Sequence, residues 1–91
     1  MKSPVDNLLK THRELTHSEM KKVTSHVQRE SGDWILNTLL IEDTDVPFKY
    51  KRKKRYKSLV GQRVNLTYYS DTESVAGIDM DVMRVVRIKL S

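Results

Sequence analysis

The nine residues from Lys49 to Lys57 carry the strongest chemical signal in the sequence. They read Lys-Tyr-Lys-Arg-Lys-Lys-Arg-Tyr-Lys, so seven of the nine are cationic and none is acidic. The remaining residues hold 10 basic and 12 acidic side chains, so this basic segment accounts for the whole formal net charge of +5. Charge concentrated in this way predicts a polyanionic partner, because each phosphate that a lysine or arginine neutralises releases condensed counterions.

Alternation along an extended chain sharpens this hypothesis. In a strand, Phe48, Tyr50 and Tyr56 share one face, and five cations spanning roughly 26 Å share the other. The two tyrosines then offer stacking surfaces to unpaired bases. If the segment is instead a mobile loop, it binds phosphate through charge alone. The predicted nucleic-acid site is Lys49, Tyr50, Lys51, Arg52, Lys53, Lys54, Arg55, Tyr56 and Lys57.

Other interpretations of the basic segment stay open. Lysines on an edge strand protect a sheet from aggregation. Three acidic residues lie nearby in the sequence, and across a hairpin they can neutralise the cations: Glu42, Asp43 and Asp45. An acidic protein partner is a further alternative.

The sequence offers little for catalysis or metal binding. It contains no cysteine, and its histidines, His12, His17 and His26, lack the i, i+4 spacing of a helical zinc pair. The acidic pairs Asp43/Asp45 and Asp79/Asp81 fall in predicted turns, where aspartate is common for its own hydrogen bonding. Neither a glycine-rich phosphate loop nor a nucleophile elbow occurs. We therefore predict a protein that is not an enzyme and that needs no metal or cofactor.

Composition also predicts the compartment. No apolar run approaches the roughly 20 residues that cross a bilayer, and the first residues lack the apolar stretch of a secretion signal. The absence of cysteine suits a reducing environment. We expect a cytoplasmic protein without membrane association.

The chain divides near Gly32, where the apolar content rises, into two segments that must together position the basic segment. Residues 1–33 are predicted to be a helical segment, with helices at about 4–15 and 17–31. Pro4 suits a first helical turn, Thr16 and Glu19 form a capping box, and Gly32 ends the second helix. The apolar stripe of these helices is Val5, Leu8, Leu9, His12, Leu15, Met20, Val23 and Val27.

Residues 34–91 are predicted to be a small β-barrel that forms one cooperative unit with the helices. The candidate strands are 34–41, 48–54, 64–69, 82–90 and, with a weaker pattern, 74–78. The predicted fold class is therefore α+β: an N-terminal helix or helix pair packed on a small five-stranded antiparallel barrel of the OB or SH3-like kind.

Four segments of the chain are similar to one known family. They are residues 32–43, 47–57, 61–69 and 82–88, and together they resemble a family of small proteobacterial proteins with no assigned function. The resemblance covers roughly residues 32–91 and implies a bacterial cytoplasmic protein. It transfers no catalytic or binding residue.

These observations favour a non-enzymatic module that binds RNA or single-stranded DNA through the basic segment. Base reading is expected to be slight, because no helix rich in Arg, Asn and Gln is present. The alternative is a protein-interaction or regulatory module, which binds a partner or a second copy through the helical stripe or a strand edge.

Overall fold

The computed structural model describes residues 14–91, which form five β-strands and no helix. The strands are β1 (Thr16–Ser31), β2 (Trp34–Ile41), β3 (Phe48–Arg52), β4 (Arg63–Val75) and β5 (Ile78–Leu90). The small five-stranded barrel is therefore confirmed. The α+β class is wrong, because the described chain is all-β.

The strands close a barrel in the order β1-β2-β3-β5-β4, with β4 returning to pair with β1. The expectation of a purely antiparallel barrel is wrong, because β3 and β5 run parallel where Phe48 and Lys49 meet Met83 and Arg84. This parallel pair arises because β4 returns the chain to the end at which β3 began. The OB or SH3-like kind stays a prediction, since the described residues establish the closed five-stranded barrel and its strand order.

Two short turns join the long hairpins. Gly32 and Asp33 connect β1 to β2, and Gly32 has a φ of 60°, which a type II′ turn requires at its first central residue. Ala76 and Gly77 connect β4 to β5, and both have positive φ, as a type I′ turn requires. The weaker strand predicted at 74–78 is therefore wrong as a separate element, since Ser74 and Val75 end β4 and Ile78 begins β5.

The helix predicted at 17–31 is also wrong, because these residues form strand β1. The first half of β1, from Thr16 to Lys22, pairs with β4, and the second half, from Val23 to Ser31, pairs with β2. The predicted boundary at residue 33 lies in a hairpin turn inside the barrel. Most of the first predicted helix, at about 4–15, lies outside the described residues. Its last two positions, 14 and 15, are described and are not helical. The predicted stripe residues that lie outside the described residues are Val5, Leu8, Leu9 and His12.

Irregularities in β1 explain why its sequence resembles a helix. A register shift between Val23 and Ser25 places the inward residues Val23 and His26 three positions apart, which is a helical spacing. A second shift lies between Ser18 and Lys21, where Met20 has a φ of 55°. The alternation of a regular strand is therefore absent from the sequence of β1, although the strand forms.

The core lies inside the barrel and draws on all of the first four strands. Its buried cluster consists of Val23, Leu39, Ile41, Phe48, Val64 and Leu66, with Met83, Val85 and Ile88 of β5 packed against it. Each fully buried aliphatic side chain stabilises the fold by about 1.5–3 kcal/mol relative to exposure. No helix in residues 14–91 is long and apolar enough to cross a membrane.

Candidate nucleic-acid interface

The basic segment has two structural parts. Phe48 to Arg52 form β3, and residues 53–62 are a loop that leads to β4. Phe48 is buried and Tyr50 is half-buried on the inner face, as alternation predicts. The expected ridge of five aligned cations does not form, because the strand ends at Arg52.

Lys49 is occupied by an ion-pair network on the outer face of the barrel. Its Nζ donates to a carboxylate oxygen of Glu73, whose other oxygen accepts from Arg84 at 3.1 Å. Arg84 also donates to Asp71 at 3.2 Å. The hydrogen bond from Lys49 is the main reason that the pKa of Glu73 lies below its ordinary value of 4.5. Lys49 is therefore neutralised within the protein, unlike most of its neighbours.

Trp34 forms an aromatic platform beside the outer cations of β3. The register pairs Leu36 with Lys51, which brings Trp34, two positions earlier on the same face, next to Lys51 and Lys53. The lysine Nζ atoms lie 4.9 Å and 4.2 Å from the centroid of the indole ring, within the range of a cation–π interaction. The Trp34 side chain remains 37% exposed. We call Trp34, Lys51 and Lys53 the Trp34 platform.

Arg52 stacks between the two tyrosines of the basic segment. Its guanidinium carbon lies 5.5 Å from the ring centroid of Tyr50 and 5.3 Å from that of Tyr56. Burial raises the pKa of Tyr50 above 10.0, although the charge of Arg52 acts in the opposite direction. The Tyr50 hydroxyl is therefore protonated at neutral pH and can donate a hydrogen bond.

Side chains of β1 hold the loop against the barrel. Gln28 donates to the carbonyl of Tyr56 at 2.6 Å and accepts from the Tyr56 N–H at 3.2 Å. The N–H of Leu59 donates to His26 Nδ1 at 3.0 Å, so the imidazole proton is placed on Nε2, which donates to Asn37 at 2.8 Å. These bonds fix the loop that carries Lys53, Lys54 and Lys57, and we call them the β1 anchor.

The nearby acidic residues do not cancel the basic segment. Glu42 pairs with Arg63 at 3.3 Å, and no ion pair within residues 14–91 joins Glu42, Asp43 or Asp45 to the segment. Arg55 lies 3.7 Å from Glu30, but both side chains are exposed, so the pair contributes little. Five cations of the segment make no ion pair with another described residue: Lys51, Arg52, Lys53, Lys54 and Lys57.

Two cations of β5 extend this surface and were missed by sequence reasoning. Arg87 borders a hollow of about 250 Å³ together with Lys51 and Arg52. Lys89 lines a second hollow with Arg52 and Lys57. The alternation Arg87-Ile88-Lys89 marks both as outward positions, but only the fold places them beside β3. We call Lys51, Arg52, Lys53, Lys54, Lys57, Arg87 and Lys89 the open cations, since none has an ion pair within residues 14–91.

The described histidines have hydrogen-bonding roles. His26 belongs to the β1 anchor, and His17 Nδ1 lies 2.9 Å from the hydroxyl of Thr67. His12 lies outside the described residues. No group of three or more His, Cys, Asp or Glu side chains within residues 14–91 is arranged to hold a metal ion.

Comparisons of this chain with protein-family models, curated proteins and solved structures find no match. The resemblance to a proteobacterial family stays a prediction.

Proposed function

We propose that this chain is a non-enzymatic module that binds single-stranded nucleic acid, RNA or DNA, through the Trp34 platform and the open cations. One observation carries the proposal: an exposed indole has two lysine Nζ atoms at 4.9 Å and 4.2 Å from its ring centroid, and neither lysine has an acidic partner within residues 14–91. A stacking surface beside uncompensated positive charge suits a ligand that presents both flat rings and phosphates.

The geometry favours a single strand over a duplex. Stacking on Trp34 requires a base that is free of its partner, and base–aromatic stacking tolerates any base because each has a π-face. Within residues 14–91 there is no helix to enter a major groove. Binding with slight sequence preference and strong salt dependence is the expected behaviour.

The strand order gives support by analogy of fold. OB-type barrels bind oligonucleotides on the face of their second and third strands and on the loops after the first and fourth. In this chain that face carries Trp34, Lys51 and Lys53, and Trp34 directly follows the β1–β2 turn. Because one fold serves many functions, the analogy adds weight only where the side chains agree with it.

Fluorescence anisotropy with a labelled 20-nucleotide single strand, and with the matching duplex, tests the proposal at several salt concentrations. We expect log K for the single strand to fall linearly with log salt, with a slope of about −0.7 for each phosphate neutralised. The double variant Lys51→Gln/Lys53→Gln should lose about 1.4 units of that slope, about 0.7 for each lysine. A matched control, Lys21→Gln/Lys22→Gln, removes two exposed lysines of β1 that lie outside the Trp34 platform.

Two results contradict the proposal. One is the absence of binding to either nucleic acid at low salt, where charge attraction is strongest. The other is an equal loss of affinity in both double variants, which indicates attraction to overall charge rather than to this surface.

A protein-interaction module is the second candidate function, and an apolar row on β2 favours it. Leu36 and Leu40 lie on the outer face of β2 and are 41% and 42% exposed. Only Met83 and Arg84 of β5 pair with β3. Within the described residues, the edge of β5 that faces β3 is therefore unpaired from Val85 onward and could add a strand of a partner. Light scattering on the purified protein tests this candidate, since a dimer that Leu40→Glu dissolves supports it. A cytoplasmic compartment stays a prediction under either function.

A further inference from the structure

A cavity of about 150 Å³ lies at one end of the barrel, beneath the loop of residues 53–62. Its apolar wall comes from Tyr56 and Leu59 of the loop, Tyr50 of β3 and Ile88 of β5. Arg52, Lys57 and Lys89 also line it. From this geometry we propose that the cavity holds one unpaired pyrimidine base of the bound strand, with the adjoining phosphate at these three cations. The inference rests on the proposed function and adds to it the place where a base enters the protein.

The size of the cavity limits what can occupy it. An apolar cavity of about 150 Å³ accommodates one six-membered aromatic ring, as engineered cavities that bind benzene show. A pyrimidine has one such ring, whereas a purine has a second fused ring that must remain outside. The cavity therefore favours thymine, uracil and cytosine over adenine and guanine by size.

The charges around the cavity suit the phosphate that accompanies a base. Arg52, Lys57 and Lys89 come from β3, the loop and β5, and none of them has an ion pair within residues 14–91. Three separate elements thus direct uncompensated cations to one opening. A purely apolar ligand gains nothing from these charges, while a nucleotide uses both the wall and the cations.

Polar groups inside the cavity leave few hydrogen bonds for reading base identity. His26 and Asn37 also line it, but they are bonded to each other at 2.8 Å, and His26 accepts from Leu59. Asn37 further donates to the carbonyl of Ile35 at 3.2 Å. The Tyr50 hydroxyl also lines the cavity and can donate, but thymine, uracil and cytosine all present an O2 carbonyl that can accept this bond. Recognition therefore depends on ring size and stacking, and the three pyrimidines should bind alike.

The test compares an eight-nucleotide oligothymidylate with an abasic strand of the same length, which carries the same phosphates without bases. Both are titrated into ¹⁵N-labelled protein, and amide and indole N–H shifts are followed by NMR. We expect the oligothymidylate to bind roughly a hundredfold tighter, with about tenfold from a base stacked on Trp34 and about tenfold from a base in the cavity. Shift changes that occur only with bases should include the amides of Leu59, Ile88 and Leu90, which border the cavity.

A pair of variants locates the base-dependent affinity. Tyr56→Leu removes an aromatic wall of the cavity, and Tyr69→Leu removes a tyrosine that lies away from it. We expect Tyr56→Leu to lose about tenfold of the advantage of the oligothymidylate, the share of the cavity, while binding the abasic strand as before. Tyr69→Leu should retain the advantage.

The outcomes separate this inference from the proposed function. If base-dependent shifts are confined to the Trp34 indole, the proposed function stands and the pyrimidine cavity is excluded. If both strands bind equally, neither the cavity nor the Trp34 platform contacts a base, and only attraction between the open cations and phosphate is left. If oligoadenylate binds as tightly as oligothymidylate and shifts the same cavity amides, the size selection is wrong. If neither strand binds at low salt, both proposals are overturned.

Discussion

Lys49 and Lys51 lie two residues apart on the same face of β3, yet their environments are opposite. Lys49 is half-buried and contacts Glu73, which Arg84 also contacts. Lys51 is exposed and lies over an indole ring, with no acidic neighbour paired to it in residues 14–91. Adjacent cations in a sequence can therefore serve different purposes, one holding strands together and the other remaining available to a ligand.

The difference comes from the neighbouring strands rather than from the segment itself. At Lys49, β3 pairs with Arg84 of β5, and the Glu73 carboxylate of β4 reaches both cations. At Lys51, the neighbour across the other edge is Leu36 of β2, which has no charge to offer. Beyond Lys49, β3 and β5 no longer pair within the described residues. No carboxylate of β4 or β5 is therefore paired with Lys51.

The largest effect is expected from His26→Ala, which removes the two His26 bonds of the β1 anchor while leaving the Gln28 bonds and the ion-pair network intact. Asn37 is 4% exposed, and it loses the donor to its side-chain oxygen, while the Leu59 N–H loses its acceptor. Unsatisfied buried groups of this kind cost about 1–3 kcal/mol. Urea unfolding should show this loss of stability. His17→Ala is the control, and an equal loss there contradicts a special role for the anchor.

Replacing the indole of Trp34 tests whether the surface beside Lys51 binds a base. Trp34→Leu removes the stacking surface, and the affinity for a single strand should fall about tenfold, since stacking contributes roughly 1–3 kcal/mol per base. Trp34→Phe keeps a ring and should recover part of the affinity. Anisotropy measures both variants. Equal binding by the Leu variant and the wild type removes Trp34 from the proposed site.

A carboxylate placed opposite Lys51 should neutralise Lys51 in the way that Glu73 neutralises Lys49. Leu36 pairs with Lys51 and is exposed, so Leu36→Glu introduces an acid at the register position that lacks one. We expect a loss of affinity of about fivefold, because cross-strand opposite charges attract and the new charge repels phosphate. Leu36→Gln separates this effect from the loss of the leucine. If both variants bind alike, charge at this position is irrelevant.

The smallest effect is expected from opening the ion-pair network. Glu73→Gln should lower the free energy of unfolding by about 1 kcal/mol or less at pH 7. Because the folded-state pKa of Glu73 is depressed, its stabilisation is present above the ordinary pKa of 4.5 and is lost as the pH falls through the lower folded pKa. The wild type and the variant should therefore converge in stability in acid. Urea midpoints between pH 7 and pH 3 test this, and a constant difference contradicts it.

The sequence predicts the barrel better than its first strand. Trp34 to Ile41 is a short apolar run ended by acidic turn residues, and it is predicted correctly as β2, in which Ile35, Leu39 and Ile41 are buried. The residues of β1 are mostly polar, and the shift after Val23 creates a helical spacing. Only pairing with β2 and β4 makes this segment a strand, and such pairing depends on distant residues.

The candidate site was predicted in part for a similar reason. The basic segment identifies the region, and its parity correctly places Phe48 and Tyr50 inward. The partner of Lys49, however, lies on β4, and the register that brings Trp34 to Lys51 belongs to β2. Which cations are paired is a property of three strands at once, so no local pattern in the sequence contains it.

The pairing of β1 with β4 also affects how the protein is made. His17 and Thr67 are hydrogen-bonded although 50 residues separate them. At a synthesis rate of about 5–20 residues per second, Thr67 is joined to the chain several seconds after His17. During that time the edge of β1 that β4 will cover is unpaired and open to other chains. Lys21 and Lys22 lie on that edge, and lysines discourage strand addition, so the polar character that makes β1 resemble a helix should protect the nascent chain from aggregation.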